Sequence, residues 1–146
     1  MAEVLLDTSA IFALLNRDDP HHARAVTIHQ SLIHRQAVLV LPNFLLAESH
    51  AIINKRLGSR AARDFLQGAL RDFEIQRVTL EDEWAAQGIL QNVTRSKALS
   101  YFDAVAVALA ERLGISEVFT FDKHFRLMGL KPVTAQTMTL EPVPPS

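Results

Sequence analysis

Short apolar runs recur along the chain, separated by longer stretches with helical periodicity. The first run, Val4-Leu5-Leu6, is stopped by Asp7-Thr8-Ser9, and a second covers 37–41 before Pro42. A third segment, 73–78, alternates apolar and polar positions as a half-buried strand does. Two more short runs lie at 117–121 and 131–133. The pattern predicts five strands, most of them buried.

The segments between these runs predict helices. An apolar stripe of Ala23, Val26, Ile28, Leu32 and Ile33 indicates a helix over 20–35. Further helices are expected over 10–15, 44–57, 59–72, 79–90 and 101–113, with a helical turn over 122–127 and with glycines at 58 and 114 as stops. Strands that alternate with helices require crossover connections. We therefore predict an α/β fold, a three-layer α/β/α sandwich around a mainly parallel sheet of about five strands.

Composition narrows the class of protein. The chain has 146 residues, of which 49% are hydrophobic, and this is enough for one domain over 1–140 followed by a proline-rich C-terminal tail over 141–146. Cysteine is absent, which excludes disulfides and thiolate metal sites. No transmembrane run or signal peptide is visible, so a cytoplasmic protein is expected. The net charge of −1 argues against a broad basic surface for nucleic acid, but it does not exclude a nuclease.

Two aspartates follow predicted strands. Asp7 comes directly after the first strand, and Asp122 comes directly after the strand over 117–121. In an open parallel sheet, ligands bind beyond the carboxyl ends of the strands. Both carboxylates are therefore expected at the same edge of the sheet.

Two further acids lie on apolar helix faces. Glu48 shares its face with Phe44 and Ile52, and Asp103 shares its face with Val107. A carboxylate held against a core is unfavourable unless it is paired or binds a cation, and neither acid has a basic residue nearby on its own face. The four acids are therefore expected to meet each other.

Such a cluster needs cations, because like charges about 4 Å apart repel by roughly 4 kcal/mol near a protein surface. Oxygen ligands without cysteine suit Mg²⁺ (or Mn²⁺). The expected chemistry is phosphodiester hydrolysis, in which one metal lowers the pKa of a water and a second stabilises the leaving oxygen. The hydroxyls of Thr8, Ser9 and Thr120 are expected at the same edge, where they could orient an acid or a water.

Each acid also has a structural interpretation. Asp7 and Asp122 could cap the helices that follow them, and Asp103 could form a capping box with Ser100. Glu48 could lie at a partly exposed helix edge. The four histidines within 21–34 are expected on a solvated helix face, whereas His50 and His124 lie close to candidate acids in the sequence.

Taken together, these positions resemble a PIN-domain protein, and most closely a VapC-type toxin ribonuclease. The resemblance rests on four segments in order, which are Val4-Leu5-Leu6-Asp7-Thr8-Ser9-Ala10, Leu45-Leu46-Ala47-Glu48, Tyr101-Phe102-Asp103-Ala104-Val105-Ala106-Val107-Ala108 and Val118-Phe119-Thr120-Phe121-Asp122-Lys123-His124-Phe125. It covers nearly the whole chain.

The resemblance implies a five-stranded parallel sheet, with Asp7, Glu48, Asp103 and Asp122 as the metal-binding catalytic acids and Thr120 as a nearby hydroxyl. It implies an endoribonuclease that cuts single-stranded RNA, such as segments of tRNA or ribosomal RNA. It also implies a homodimer and a cognate antitoxin, and it gives no role to a membrane.

Three alternatives remain open at this point. The first is a non-catalytic PIN-like module that binds RNA or protein. The second is a phosphatase or receiver-type domain, but Ser9 stands where an aspartate-nucleophile phosphatase has its second aspartate, and the acidic pair of a receiver is not visible. The third is a purely structural protein, whose stability would not respond to metal.

Overall fold

A computed structural model of the chain describes residues 2–92 and 99–134. Its five strands form one parallel sheet in the order β3-β2-β1-β4-β5, so the predicted α/β/α class and strand number are confirmed. The strands are β1 (Glu3–Leu6), β2 (Val38–Pro42), β3 (Glu74–Gln76), β4 (Glu117–Phe119) and β5 (Lys131–Pro132). The predicted tail over 141–146 lies outside the described residues, and the boundary at 140 stays a prediction.

The first strand occupies the centre of the sheet. Leu5 of β1 is in register with Val40 of β2 on one side and with Val118 of β4 on the other. Val4, Leu5 and Leu6 are all 0% exposed. Because successive strand side chains point to opposite faces, full burial at three consecutive positions means that both faces of the sheet are covered.

Seven helices lie among the described residues. They are α1 (Thr8–Leu15), α2 (His22–His34), α3 (Asn43–Leu57), α4 (Ser59–Asp72), α5 (Leu80–Asn92), α6 (Tyr101–Leu113) and α7 (His124–Leu127). Gly58 separates α3 from α4 with a φ of +101°, a left-handed conformation that favours glycine. The stops predicted at Gly58 and Gly114 are thus confirmed.

The predicted apolar stripe of α2 is partly wrong. The buried residues of this helix are Ala25, Ile28 and Leu32, whereas Ala23 is exposed and Ile33 is 61% exposed. Each residue adds about 100° around a helix, so Ile33 cannot share the buried face with Leu32. The helix also begins at His22, after Pro20 rather than at it.

Three strands are shorter than predicted. The correction that matters for function concerns β4, which ends at Phe119. Thr120 therefore follows the strand directly, and Asp122 comes two residues later, in the turn that leads to α7. Strands β3 and β5 also lose residues at their ends, where sequence patterns fix boundaries least well.

No helix in the described part of the chain has the length and apolar character that crossing a lipid bilayer requires.

Candidate active site

A cavity of about 480 Å³ opens beyond the carboxyl ends of β1 and β4. All four predicted acids line it, although they come from four separate parts of the chain: Asp7, Glu48, Asp103 and Asp122. A backbone hydrogen bond from the Asp7 amide to the Phe119 carbonyl, 3.1 Å long, joins the ends of the two strands. The sheet thus brings together the acids that the sequence analysis predicted to meet.

Asp7 is the most buried of the four, with 6% exposure. Its Oδ2 atom accepts three hydrogen bonds, from the Ser9 amide (3.3 Å), the Ser9 hydroxyl (2.7 Å) and the Thr120 hydroxyl (2.8 Å). Burial raises the pKa of this carboxyl, against the opposing effect of those hydrogen bonds. Asp7 is also the N-cap of α1, so the capping interpretation is correct and does not compete with a place in the cavity.

Glu48 lies half-buried on α3, between the buried positions Leu45 and Ser49. Its Oε2 atom accepts a 3.2 Å hydrogen bond from the Thr8 hydroxyl, which in turn accepts one of 3.1 Å from the buried Ser49 hydroxyl. Burial raises the pKa of Glu48, and the negative charges of Asp7 and Asp103 raise it further. Glu48 therefore lies at the edge of the apolar face rather than within it, and its carboxylate is oriented toward Asp7.

Asp103 combines both of its predicted roles. Its amide donates to the Ser100 hydroxyl at 3.1 Å, and its Oδ2 accepts from the Ser100 amide at 3.4 Å, which completes the capping box of α6. Burial raises the pKa of Asp103, as do the charges of Asp7 and, to a smaller extent, Asp122. The cap fixes the direction of the carboxylate, and the neighbouring acids share its electrostatic field.

Asp122 is held by the turn after β4. Its amide donates to the Thr120 hydroxyl at 2.9 Å, and its Oδ1 atom accepts from the His124 amide at 3.0 Å. The same oxygen contacts the His124 ring nitrogen Nδ1. Thr120 thus bonds to both Asp7 and Asp122, which explains how two acids from distant parts of the sequence keep a fixed relation.

None of the four acids forms an ion pair with a lysine or arginine of the described chain. Nor does any group of three or more His, Asp or Glu side chains within 2–92 and 99–134 form a ready-made ligand set for a metal ion. Structural zinc sites are closed sets of that kind, whereas Mg²⁺ keeps several waters and binds through one or two carboxylates together with substrate phosphates. The carboxylates and hydroxyls that line the cavity are hard oxygen donors, which is the donor type that Mg²⁺ and Mn²⁺ accept.

Other residues of the cavity were not predicted from the sequence. Arg56 lies two turns beyond Glu48 on α3, and its guanidinium carbon is 5.4 Å from the centre of the Phe12 ring. His21 stacks on Phe121, with ring centres 4.6 Å apart and planes within 5°. The eight-residue spacing of Glu48 and Arg56 is a signal that could have indicated one face, but nothing in the sequence pairs His21 with Phe121.

Comparison with known proteins assigns this chain to a family. The family model described as "PIN domain" matches residues 4–130. A curated relative from Mycobacterium tuberculosis, described as the 23S rRNA-specific endonuclease VapC20, is 28% identical over 134 residues, which are 89% of this chain and 97% of the relative.

Solved structures give the same fold. The crystal structure of M. tuberculosis VapC20, described as a sarcin-ricin loop cleaving toxin, has a TM-score of 0.79 at 28% identity and covers 90% of this chain and 98% of its own. FitAcB from Neisseria gonorrhoeae has a TM-score of 0.70 at 20% identity, with 91% and 98% covered. VapBC2 from Rickettsia felis, bound to a DNA fragment from its promoter, has a TM-score of 0.69 at 13% identity, with 90% and 97% covered. The last two likenesses concern the fold alone.

Proposed function

The chain belongs to the PIN domain family, and from this membership we propose that it is a metal-dependent endoribonuclease of the VapC toxin type. One observation carries the proposal. Four carboxylates from separate segments line one cavity at the edge of the sheet, and no lysine or arginine of the described chain pairs with them. Such a cluster is unfavourable by itself and becomes favourable when a divalent cation binds.

We assign the metal-holding role to Asp7, Glu48, Asp103 and Asp122. Mg²⁺ (or Mn²⁺), when bound, supplies the positive charge that acidifies a water and stabilises the charge developing on the phosphodiester. Thr120 positions Asp7 and Asp122 through its hydroxyl. Thr8 positions Glu48 in the same way.

The hydrogen bonds at Asp7 indicate how its carboxylate is used. All three fall on Oδ2, so Oδ1 is the oxygen that remains to act in the cavity. A carboxylate that is held by hydrogen bonds from the protein is already oriented before the ion and the substrate bind. Asp7 is therefore the acid whose replacement should affect cleavage most.

The proposed substrate is an unpaired segment of RNA, such as one in tRNA or ribosomal RNA. The name of the VapC20 relative, a 23S rRNA-specific endonuclease, supports the ribosomal choice. An enzyme of this kind acts in the cytoplasm, where these RNAs are found. A cognate antitoxin and a homodimer complete the proposal, the first in keeping with the VapBC assemblies among the similar structures.

The alternative function is a PIN-like module that binds RNA or protein without cutting. It would have no use for carboxylates that repel each other, whereas this chain retains all four and orients three of them by hydrogen bonds from side-chain hydroxyls or a capping box. The alternative therefore accounts for the fold but not for the cavity.

Cleavage of total cellular RNA by the purified protein tests the proposal. The reactions contain Mg²⁺, Mn²⁺ or EDTA and use the wild-type protein, Asp7→Asn and Glu48→Gln. We expect discrete fragments that require metal and disappear in both variants. Sequencing the fragment ends identifies the target.

The matched control is Asp64→Asn, which removes an exposed carboxylate on α4 that lines neither cavity described for this protein. It should cleave like the wild type. If folded wild-type protein without a bound inhibitor cuts no RNA with either metal, the non-catalytic module becomes the better explanation. If Asp7→Asn keeps full activity, the site assignment is wrong.

A further inference from the structure

A second cavity, of about 970 Å³, lies beside the acid-lined one. It is formed by α2, the segment after β4, α7 and the chain after β5. The two cavities share His21, Phe121 and Asp122 in their linings. The stacked rings of His21 and Phe121 therefore form a wall between them.

The two cavities differ in chemistry. The first is lined by the four acids described above, by a fifth carboxylate, that of Asp19, and by one arginine, Arg56, whereas the second is lined by one carboxylate, that of Asp122. Three cationic side chains line the second cavity, namely Arg24, Lys123 and Arg126. All three are exposed, and none forms an ion pair with an acid of the described chain. The second cavity therefore favours an anionic ligand.

Apolar side chains line the same cavity. Ile28 contributes a buried surface, and Leu127, with 71% exposure, contributes an open one next to Pro132. The Arg24 guanidinium carbon lies 5.7 Å from the centre of the Phe121 ring, so its charge is held near the wall. A flat apolar group that carries negative charge on either side would complement this surface.

We propose that the second cavity holds an unstacked base of the RNA close to the cleaved phosphodiester, while Arg24, Lys123 and Arg126 contact the phosphates that flank this base. This inference rests on the proposed ribonuclease function. Single-stranded RNA is recognised through splayed bases placed on apolar or aromatic surfaces and through cations along the backbone. The shared wall keeps the held base next to the acids, so binding of the base would place the neighbouring phosphodiester at the acid-lined cavity.

The lining of the second cavity also fits a nucleic-acid base better than it fits a segment of protein. A protein helix or strand needs an apolar groove or a free sheet edge, whereas here three cations line the cavity together with its apolar side chains. The cationic cavity lies beside the anionic one, and this arrangement favours the binding of RNA. Attraction at the second cavity offsets the repulsion that the acids exert on the backbone before a metal ion binds.

Binding without cleavage tests this inference. The probes are a fluorescent uridine octamer and an abasic octamer with the same sugar-phosphate backbone, both measured by anisotropy in EDTA. Leu127→Ser should weaken uridine octamer binding by about fivefold, an effect at the low end for loss of one apolar side-chain contact. It should leave the abasic octamer unaffected.

Arg126→Gln should weaken both octamers and lower the slope of log Kd against log salt by about 0.7, the value for one phosphate contact on a single strand. The matched controls are Leu70→Ser and Arg63→Gln on α4, which lie outside both cavities. Neither control should change the affinity or the salt slope. In cleavage assays, Arg126→Gln should raise KM and leave kcat unchanged.

Because binding in EDTA needs no cleavage, it is interpretable even if the protein cuts nothing. If Leu127→Ser weakens both octamers equally, or behaves like Leu70→Ser, the base-binding role is overturned even when the wild type is an active nuclease. If the cavity variants abolish binding of a protein partner and leave both octamers unaffected, the cavity is a protein interface and the inference is wrong.

Discussion

Two aspartates of this protein are buried to a similar degree and are treated in opposite ways. Asp7 in the acid-lined cavity is 6% exposed, and Asp82 on α5 is 2% exposed. Each lies in the first turn of a helix or at its cap, and each accepts hydrogen bonds from a nearby hydroxyl-bearing residue or its amide. The pKa of Asp7 is raised and that of Asp82 is lowered.

The pKa values of the two aspartates shift in opposite directions because Asp82 is paired with an arginine and Asp7 has no such partner among the described residues. Arg112 of α6 donates two hydrogen bonds to Asp82, from Nε to Oδ1 at 2.8 Å and from Nη2 to Oδ2 at 3.0 Å. Burial raises the pKa of Asp82, but this ion pair and the hydrogen bonds from Thr79 outweigh it. At Asp7 the effect of burial on the pKa prevails, because the hydrogen bonds that oppose it come from neutral hydroxyls and backbone amides rather than from a cation.

This contrast separates a structural acid from the acid to which we assign a metal-holding role. Asp82 is neutralised within the protein and joins α5 to α6. Asp7 is oriented but not neutralised, so its charge remains for a ligand. Burial alone did not distinguish the two residues, whereas the presence or absence of a partner cation does.

The largest expected effect is on activity: Asp7→Asn should lose cleavage and Asp82→Asn should not. Asp7→Asn should lower RNA cleavage by about 10³-fold or more, because a bound metal contributes several kcal/mol of transition-state stabilisation. Asp82→Asn should keep wild-type cleavage in its folded fraction. Single-turnover rates at saturating Mg²⁺ measure the difference, with circular dichroism to verify folding. Equal losses in the two variants would mean that Asp7 is also only structural.

The second effect is the converse, on stability. Asp82→Asn should lower the free energy of unfolding by about 2 kcal/mol, below the range for a fully buried pair because Arg112 is 31% exposed. Urea unfolding in EDTA measures it. Asp7→Asn should show no such loss, since the amide oxygen can keep the hydrogen bonds from Ser9 and Thr120. A loss of equal size there would contradict the distinction.

The third effect is a response to metal. Mg²⁺ at about ten times its Kd should stabilise the wild type by roughly 1.4 kcal/mol through mass action. The shift should vanish in Asp7→Asn and persist in Asp82→Asn, as measured by thermal unfolding with Ca²⁺-free buffers and an EDTA control. No response in the wild type would remove the support for a metal site.

The last effect is on the pH dependence of stability, which should have opposite signs at the two carboxyls. A lowered pKa means that Asp82 stabilises the fold above its ordinary pKa of 3.8, and that this stability is lost as the pH falls through the lower folded value. A raised pKa gives Asp7 the opposite sign: its charge burdens the metal-free fold increasingly as the pH rises above 3.8.

In EDTA the wild type should therefore be more stable than Asp82→Asn at neutral pH, with the gap closing below pH 3.8. The wild type should be less stable than Asp7→Asn at neutral pH. As the pH falls, this difference in unfolding free energy should disappear at a higher pH than the difference between the wild type and Asp82→Asn does. Urea midpoints between pH 3 and 7 measure both gaps. Two gaps of the same sign would show that the two carboxyls share one environment.

Much of the fold could be predicted from the sequence because local signals agreed with the global arrangement. The helix start predicted at 79, the capping box of Ser100 and Asp103, and the glycine at 58 placed helix boundaries to within about one residue. The face of α2 was less predictable, because apolar residues such as Ile33 also occur on exposed surfaces. Only the packing partners of a helix decide which of its apolar residues are buried.

The four acids could be predicted because each stood at a strand end or on an apolar face. Their relation to one another could not, since it depends on the Thr120 hydroxyl that joins Asp7 to Asp122. The partner of Asp82 was equally hidden, because Arg112 lies 30 positions away. Contacts between distant parts of the chain leave no periodic pattern in the sequence.

The backbone bond between Asp7 and Phe119 has a consequence for how the protein is made. The residues of the cavity are spread from position 7 to position 122, so the segment from β1 to β4 must leave the ribosome before β4 can pair with β1. Strands that lie so far apart in the sequence also pair slowly during folding. A nascent chain therefore lacks the acid-lined cavity until the residues of β4 and Asp122 have been synthesised. For an enzyme that hydrolyses RNA, this order of assembly delays activity until β4 has been synthesised and has paired with β1.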